Sequence, residues 1–179
     1  MAYWRLFYHF VWTTKNREPL LTPDIEPNIY RFLHAEANKM YVPLFVIGGT
    51  MDHVHVLAAV RPAVSPADFM KQLKGSSSRF VSLEFKRPFG WQEGYGVFSV
   101  SEQDVPQVIT YVERQKQHHA EGSLVEEWEQ THHWKSQQDQ KRQSCFRIPV
   151  GEPRHRTGRT GAGLQQPLEL KISAQSRYG

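Results

Sequence analysis

VPLFVIGGTMDHVHVLAAV, residues 42–60, holds two apolar runs on either side of a Gly-Gly pair. Val42–Ile47 reads as a strand, Gly48-Gly49 as a turn and His53–Val60 as a second strand, so the segment predicts a hairpin. Upstream, Tyr3–Thr14 is aromatic and β-branched, with Leu6, Tyr8, Phe10 and Trp12 on one face, which predicts a strand. The segment KNREPLL (15–21) is a turn and loop. Thr22-Pro23 offers an N-cap with proline at the first helical position, and Ile25, Ile29, Phe32, Leu33 and Met40 carry a helix to about Met40. Downstream, Ser65-Pro66-Ala67-Asp68 is a capping-box variant that opens a helix to about Glu84, with Gly75 a weak point inside it. Lys86–Gly94 is a loop and Tyr95–Val100 a strand. Ser101 with Asp104 opens a helix to about His119, and Leu124–Trp128 extends helical structure beyond Gly122. The order strand, helix, strand, strand, helix, strand, helix predicts an α+β fold. It is a ferredoxin-like or RRM-like antiparallel sheet with helices packed on one face.

Composition narrows the classes. The chain has 179 residues and a formal net charge of +4. The charge is unevenly placed: residues 135–179 carry a net of +6, which leaves −2 for residues 1–134. The later segment is rich in Gln, Gly, Pro and Arg and poor in large apolar residues. It reads as a basic, disordered tail, because it cannot bury enough surface to offset its chain entropy. Residues 1–134 read as the folded domain. A single cysteine, Cys145, excludes an intrachain disulfide and a thiolate zinc cluster and suits a reducing compartment. No apolar run approaches the roughly 18 residues of a membrane helix. The opening stretch does not read as a signal peptide. The expectation is a cytoplasmic protein that does not engage a membrane.

Two short patterns could carry chemistry. His53 and His55 are two apart on a predicted strand, so their imidazoles point the same way and could share a metal ion. Asp52 beside them could hold an imidazole as an outer acceptor. Alone, so short a pair reads better as two incidental histidines on a half-exposed strand. Tyr111 and Gln115 stand four apart on the last predicted helix and share a face. A tyrosine hydroxyl is a weak nucleophile at its ordinary pKa of about 10, a handicap that a metal on the electrophile offsets. The plain alternative is a tyrosine packed at the helix edge with a solvated glutamine. Tyr95 in WQEGY competes as nucleophile but reads better as a packing residue. His118 and His119 continue the Tyr111 face and could reach DNA or the metal surroundings, or form a solvated helix end. His9 on the first strand reads as structural.

Together these segments resemble the single-tyrosine HUH transposases of small insertion sequences, the IS200-like family, with the repeat-associated tyrosine transposases as near relatives. His53-Val54-His55 is the HUH triplet, and Tyr111 with Gln115 gives the downstream Tyr-x-x-x-Gln. The resemblance extends through YHFVWTTKNREPLL, GGTMDHVHVLAAV, QLKGSSSRF and WQEGYGVFSV, in that order, over about residues 3–134. Met51 stands where a proline is frequent in the family. The resemblance implies cleavage and rejoining of single-stranded or hairpin DNA during transposition. Tyr111 would be the nucleophile, forming a 5′-phosphotyrosine link and a free 3′-hydroxyl. His53, His55 and Gln115 would hold Mg²⁺ or Mn²⁺, no nucleotide cofactor would be needed, and a homodimer is implied.

DNA contacts are expected from Lys71, Lys74, Ser76, Ser77, Ser78 and Arg79 on one predicted helix and from Lys15, Asn16 and Arg17 in a basic turn. Trp91 could stack on an unpaired base or be an ordinary buried tryptophan. Arg154, Arg156 and Arg159 could add non-specific affinity. The main alternative is a domesticated protein that binds repeat or hairpin DNA without mobilising it.

Overall fold

The computed structural model describes residues 3–131; the expected tail, 135–179, lies outside the described residues. In chain order the elements are β1 Phe7–Thr13, α1 Glu26–Lys39, β2 Leu44–Gly49, β3 His53–Ala59, α2 Pro66–Glu84, β4 Gly96–Val100, α3 Val105–Glu113 and α4 Gln115–Glu121. Short 3₁₀ turns at Lys15–Arg17 and Glu126–Glu129 complete the set among the described residues. The strands form one antiparallel sheet in the order β2-β3-β1-β4. This is the expected ferredoxin-like arrangement.

The hairpin has its turn in a different place. Gly48 and Gly49 belong to β2, where they pair with His55 and Val54. The chain reverses at Thr50–Asp52 instead, with the Thr50 N–H donating to the His53 carbonyl at 3.1 Å. The glycines serve close approach: a Cβ on Gly48 would lie 2.1 Å from the Val112 carbonyl oxygen, and one on Gly49 2.1 Å from that of His53.

Helix starts follow local capping. Ser65 Oγ accepts the Asp68 N–H at 3.0 Å, so α2 begins at Pro66 as expected. α1 begins later than Thr22-Pro23 predicts. The Ile25 N–H first closes a turn onto the Thr22 carbonyl at 2.9 Å, and Pro27 takes the early helical position that Pro23 was expected to hold.

Alternation along β1 and β3 sends side chains to two different layers. Phe10, Trp12, Val54, Val56 and Ala58 face α1 and α2 and form a dry core with Ile29, Leu33, Phe69, Met70 and Leu73. Each such fully buried large side chain contributes about 1.5–3 kcal/mol. α1 and α2 thus meet the one-face expectation, but the third predicted helix does not. It packs on the opposite face, where Val108, Tyr111 and Val112 cover Leu57. It is also broken at Arg114 (φ −97°, ψ 15°) into α3 and α4.

Candidate active site

Two neighbours on β3 face the α3 layer. His53 and His55 are buried, and cross-strand pairing with Thr13 and Val11 fixes their register. His53 Nδ1 lies 2.6 Å from Asp52 Oδ1 and 2.9 Å from Thr50 Oγ1. Asp52 also accepts from Arg17 Nη1 at 3.2 Å, which ties the basic turn to the histidine. Burial alone would raise the Asp52 carboxyl, but His53, Thr50 and Arg17 outweigh it and hold it below the usual carboxylate range. Such a carboxylate can only accept. The His53 proton therefore sits on Nδ1, and Nε2 presents a lone pair.

That lone pair meets other donor atoms. Gln115 Oε1 is 3.3 Å from His53 Nε2, while the Gln115 amide nitrogen donates to Glu129 at 3.3 Å. The second contact sets the amide orientation, so an imidazole lone pair and a carbonyl oxygen face each other. Neither can satisfy the other, whereas a cation satisfies both. Among the described residues His55 Nε2 is buried without a hydrogen-bond partner, although Glu129 Oε2 lies 3.3 Å away at ion-pair distance. His53, His55 and Glu129 bring their ligand atoms within 4.8 Å of one another. Two imidazoles, an amide oxygen and a carboxylate form a donor set suited to a divalent ion such as Mn²⁺ or Mg²⁺. The residues present fit a metal ion.

Tyr111 stands beside this cluster. Its ring lies 6.0 Å from the His55 ring and stacks on His118 at 4.9 Å. Its hydroxyl donates to Glu129 Oε1 and accepts the Val125 N–H at 3.3 Å. Burial and the Glu129 carboxylate push the tyrosine pKa up to about 12. Burial would raise the Glu129 carboxyl, but His55, Tyr111 and His53 outweigh it and bring it down to about 2. Glu129 is therefore an anion that holds the tyrosine proton in place.

The sequence pattern gives no place to Glu129 and undervalues His9 and His119. Glu129 lies on a 3₁₀ turn beyond the predicted helices, and only the acidic run Glu126-Glu127-Trp128-Glu129 signals it. His9 is fully buried, with its Nε2 2.8 Å from His55 Nδ1 and its ring stacked at 5.0 Å. Burial first, and then His55, push its pKa down to about 3. His119 reaches the site, with Nε2 3.1 Å from His53 Nε2. Gln115 and Tyr111 do meet, but not on one helical face: the break at Arg114 places Gln115 at the start of α4.

The expected DNA residues are scattered. Lys71 and Arg79 are exposed on α2. Lys74 Nζ donates to the Gln92 and Gly94 carbonyls at 2.7 and 2.6 Å, and Ser76 bonds back to the Gln72 carbonyl at 2.7 Å. The buried Ser77 accepts from Trp91 Nε1 at 2.9 Å, and Ser78 holds the Phe89 carbonyl at 3.1 Å. Trp91 packs on Trp12 and Phe89, and Tyr95 on Phe10, all on the α1–α2 side. Lys15, Asn16 and Arg17 form an exposed turn, with Asn16 at φ 57°.

The chain is similar to known proteins in sequence and in fold. The family described as "Transposase IS200 like" matches residues 2–115. The ISDra2 transposase TnpA of Deinococcus radiodurans is 28% identical over 119 residues, which is 63% of this chain and 85% of that protein. The transposase for insertion sequence element IS200 of Salmonella typhimurium is 28% identical over 120 residues, 63% of this chain and 78% of that one. Among solved structures, a Deinococcus radiodurans R1 protein provisionally described as a transposase aligns with TM-score 0.53 at 30% identity, covering 64% of this chain and 93% of that chain. A REP-associated tyrosine transposase bound to a REP hairpin aligns with TM-score 0.53 at 11% identity, covering 66% and 72%, and shares the fold.

Proposed function

The chain belongs to the IS200-like transposase family, and from that premise we propose that it cleaves and rejoins single-stranded DNA with Tyr111 as the nucleophile. The observation that carries the proposal is convergence: His53, His55, Gln115 and Tyr111, from three elements, meet around Glu129 in one cluster.

His53, His55 and Gln115 would hold a divalent ion, with Asp52 orienting His53. When bound, the ion supplies charge neutralisation at the scissile phosphate. The Tyr111 oxygen attacks phosphorus as the phenol loses its proton. The bond from phosphorus to the 3′-oxygen breaks, and that oxygen takes up a proton. The product is a 5′-phosphotyrosine link and a free 3′-hydroxyl. A 3′-hydroxyl then attacks the link, restores the phosphodiester and returns Tyr111. The link retains the bond energy, so no nucleotide cofactor is used. Hairpin DNA is the substrate form to test, because a protein of this fold is described bound to a REP hairpin. Lys15, Arg17, Lys71, Lys74, Ser76 and Arg79 are the proposed DNA contacts. Residues 1–134 are the proposed catalytic domain, with 135–179 a basic tail. No helix among the described residues is long and apolar enough to cross a membrane, and the proposed location is the cytoplasm, where the DNA is.

The test is a denaturing gel of labelled single-stranded hairpin DNA incubated with protein and Mg²⁺ or Mn²⁺. A covalent adduct lost in Tyr111→Phe supports the proposal. An adduct that survives Tyr111→Phe overturns the nucleophile assignment, and hairpin binding with no adduct under either metal favours the domesticated binder. Mixing Tyr111→Phe with His53→Ala chains tests the homodimer that the family resemblance implies. Restored adduct means that a tyrosine serves a partner's histidines, whereas no restoration places cleavage within one chain.

A further inference from the structure

The two histidines of the cluster are supported differently, and the difference points to a residue that the proposed chemistry has not used. His53 Nδ1 faces a carboxylate, Asp52, at 2.6 Å. His55 Nδ1 faces another imidazole, His9 Nε2, at 2.8 Å. An imidazole can hold a metal ion through Nε2 only if its proton is on Nδ1, and that proton needs an acceptor when buried. For His53 the acceptor is permanent, because a carboxylate never donates. For His55 it is a neutral ring that accepts only in one tautomer.

We propose that His9 is the positioning residue for His55, accepting its Nδ1 proton and so presenting the His55 Nε2 lone pair to the metal ion. This inference rests on the metal-binding reading above.

The geometry leaves His9 little else to do. Its side chain is fully buried, and its other nitrogen, Nδ1, has no hydrogen-bond partner among the described residues. A buried polar atom without a partner costs about 1–3 kcal/mol. A phenylalanine would fill the same space beside Phe98 and Trp128 without that cost. Burial keeps His9 uncharged, so it can accept without adding a second cation next to a bound one. The near-parallel rings, 16° apart, also fix the plane in which His55 lies. β1 and β3 are paired residue for residue here, with His9 opposite Leu57 and Val11 opposite His55, so the His9–His55 contact is diagonal across the ladder. Sheet pairing thereby sets the distance between the two rings.

The His9–His55 pair can hold its shared proton in either direction. With the proton on His9 Nε2, His55 carries Nε2–H toward Glu129 and cannot bind a metal ion. With the proton on His55 Nδ1, Nε2 is free. Each ring carries one proton in both arrangements, so metal binding at His55 changes tautomers without net proton release from the pair.

Full-length wild type, His9→Gln and His9→Phe are compared. Gln places an acceptor oxygen near the Nε2 position, whereas Phe keeps ring volume and removes the acceptor. Mn²⁺ affinity is read by electron paramagnetic resonance titration. The His55 Nδ1–H is read by long-range ¹H–¹⁵N spectra of the Zn²⁺-loaded protein, with His55→Gln for assignment and backbone spectra to confirm folding. His9→Phe is expected to weaken Mn²⁺ binding about 10–100-fold and to lose the exchange-protected Nδ1–H, and His9→Gln to retain both. A folded His9→Phe with wild-type affinity and a protected Nδ1–H overturns the proposal. Equal losses in Gln and Phe overturn it too, because they assign His9 to shape alone. Failure of the metal reading looks different: wild type itself then binds no Mn²⁺, and both inferences fall.

Discussion

The two faces of the sheet are built from the same strands and obey different rules. On the α1–α2 face, β1 and β3 contribute Phe10, Trp12, Val54, Val56 and Ala58, all of them apolar. On the other face the same strands contribute His9, His53 and His55, which need partners. Those partners come from α4, the Glu126–Glu129 turn, the Thr50–Asp52 reversal and the strands themselves. One face therefore depends on volume and the other on the placement of lone pairs and protons. Stability should reside mainly in the first and chemistry in the second.

The largest effect should separate them in opposite directions. Phe69 is fully buried against Phe10 with ring centroids 5.4 Å apart. Phe69→Ala should cost about 3–5 kcal/mol in a denaturant melt. Tyr111→Phe removes a hydrogen bond to a carboxylate and should cost about 1–2 kcal/mol, yet abolish adduct formation. Equal destabilisation by the two substitutions would break the distinction.

Gly48→Ala probes the seam between β2 and the second face. Its new Cβ meets backbone, the Val112 carbonyl, at 2.1 Å, so α3 must move. We expect about 1–3 kcal/mol of destabilisation and a larger fall in cleavage than in DNA binding, because α3 carries Tyr111. Unchanged cleavage would mean that the site tolerates displacement of α3.

The polar face also predicts a pH signature, set by its buried histidines. Burial lowers the pKa of His9 to about 3 and that of His55 in the same direction. The unfolded chain binds those protons near pH 6.5 while the folded chain does not. Stability is then complete above about pH 6.5 and declines as pH falls, by about 1.4 kcal/mol per unit for each such group. Between pH 5 and 6.5, His9→Gln should flatten that slope by roughly one proton. Phe69→Ala should lower stability without changing it. Matching slopes in wild type and His9→Gln would show that His9 takes up its proton without unfolding.

The same contrast explains what could be read from the sequence. Period-two alternation and Ser65 capping are local signals, so the strands and α2 are legible. The position of the hairpin turn is not, because Gly48-Gly49 looks like a turn dipeptide. Only the approach of Val112 and His53 shows why glycine is needed there. His53, His55, Tyr111 and Gln115 stand out as motif residues, although i,i+4 spacing predicts one continuous helix for the last two and they lie on α3 and α4. Arg114 is neither Gly nor Pro, so nothing local announced the break. Glu129 and His9 contribute through contacts distant in sequence, and a single chain without those contacts gave no reason to prefer them.

The smallest predicted effect tests whether DNA spans both faces. α2 packs against the dry face, so Lys71 and Arg79 project from the side of the sheet opposite His53 and His55. Arg17 lies at the strand ends and touches Asp52, closer to the histidines. If single-stranded DNA wraps from the cluster around to α2, each exposed cation releases counterions on binding. Lys71→Ala and Arg79→Ala should each reduce the slope of log affinity against log salt by about 0.7. They should leave cleavage of saturated complexes unchanged. Lys74→Ala should differ, because its ammonium is committed to the Gln92 and Gly94 carbonyls. Its loss should loosen that loop more than it alters the salt slope. Unaltered slopes for Lys71 and Arg79, with a reduced slope for Arg17→Ala, would confine the DNA path to the strand ends and the polar face.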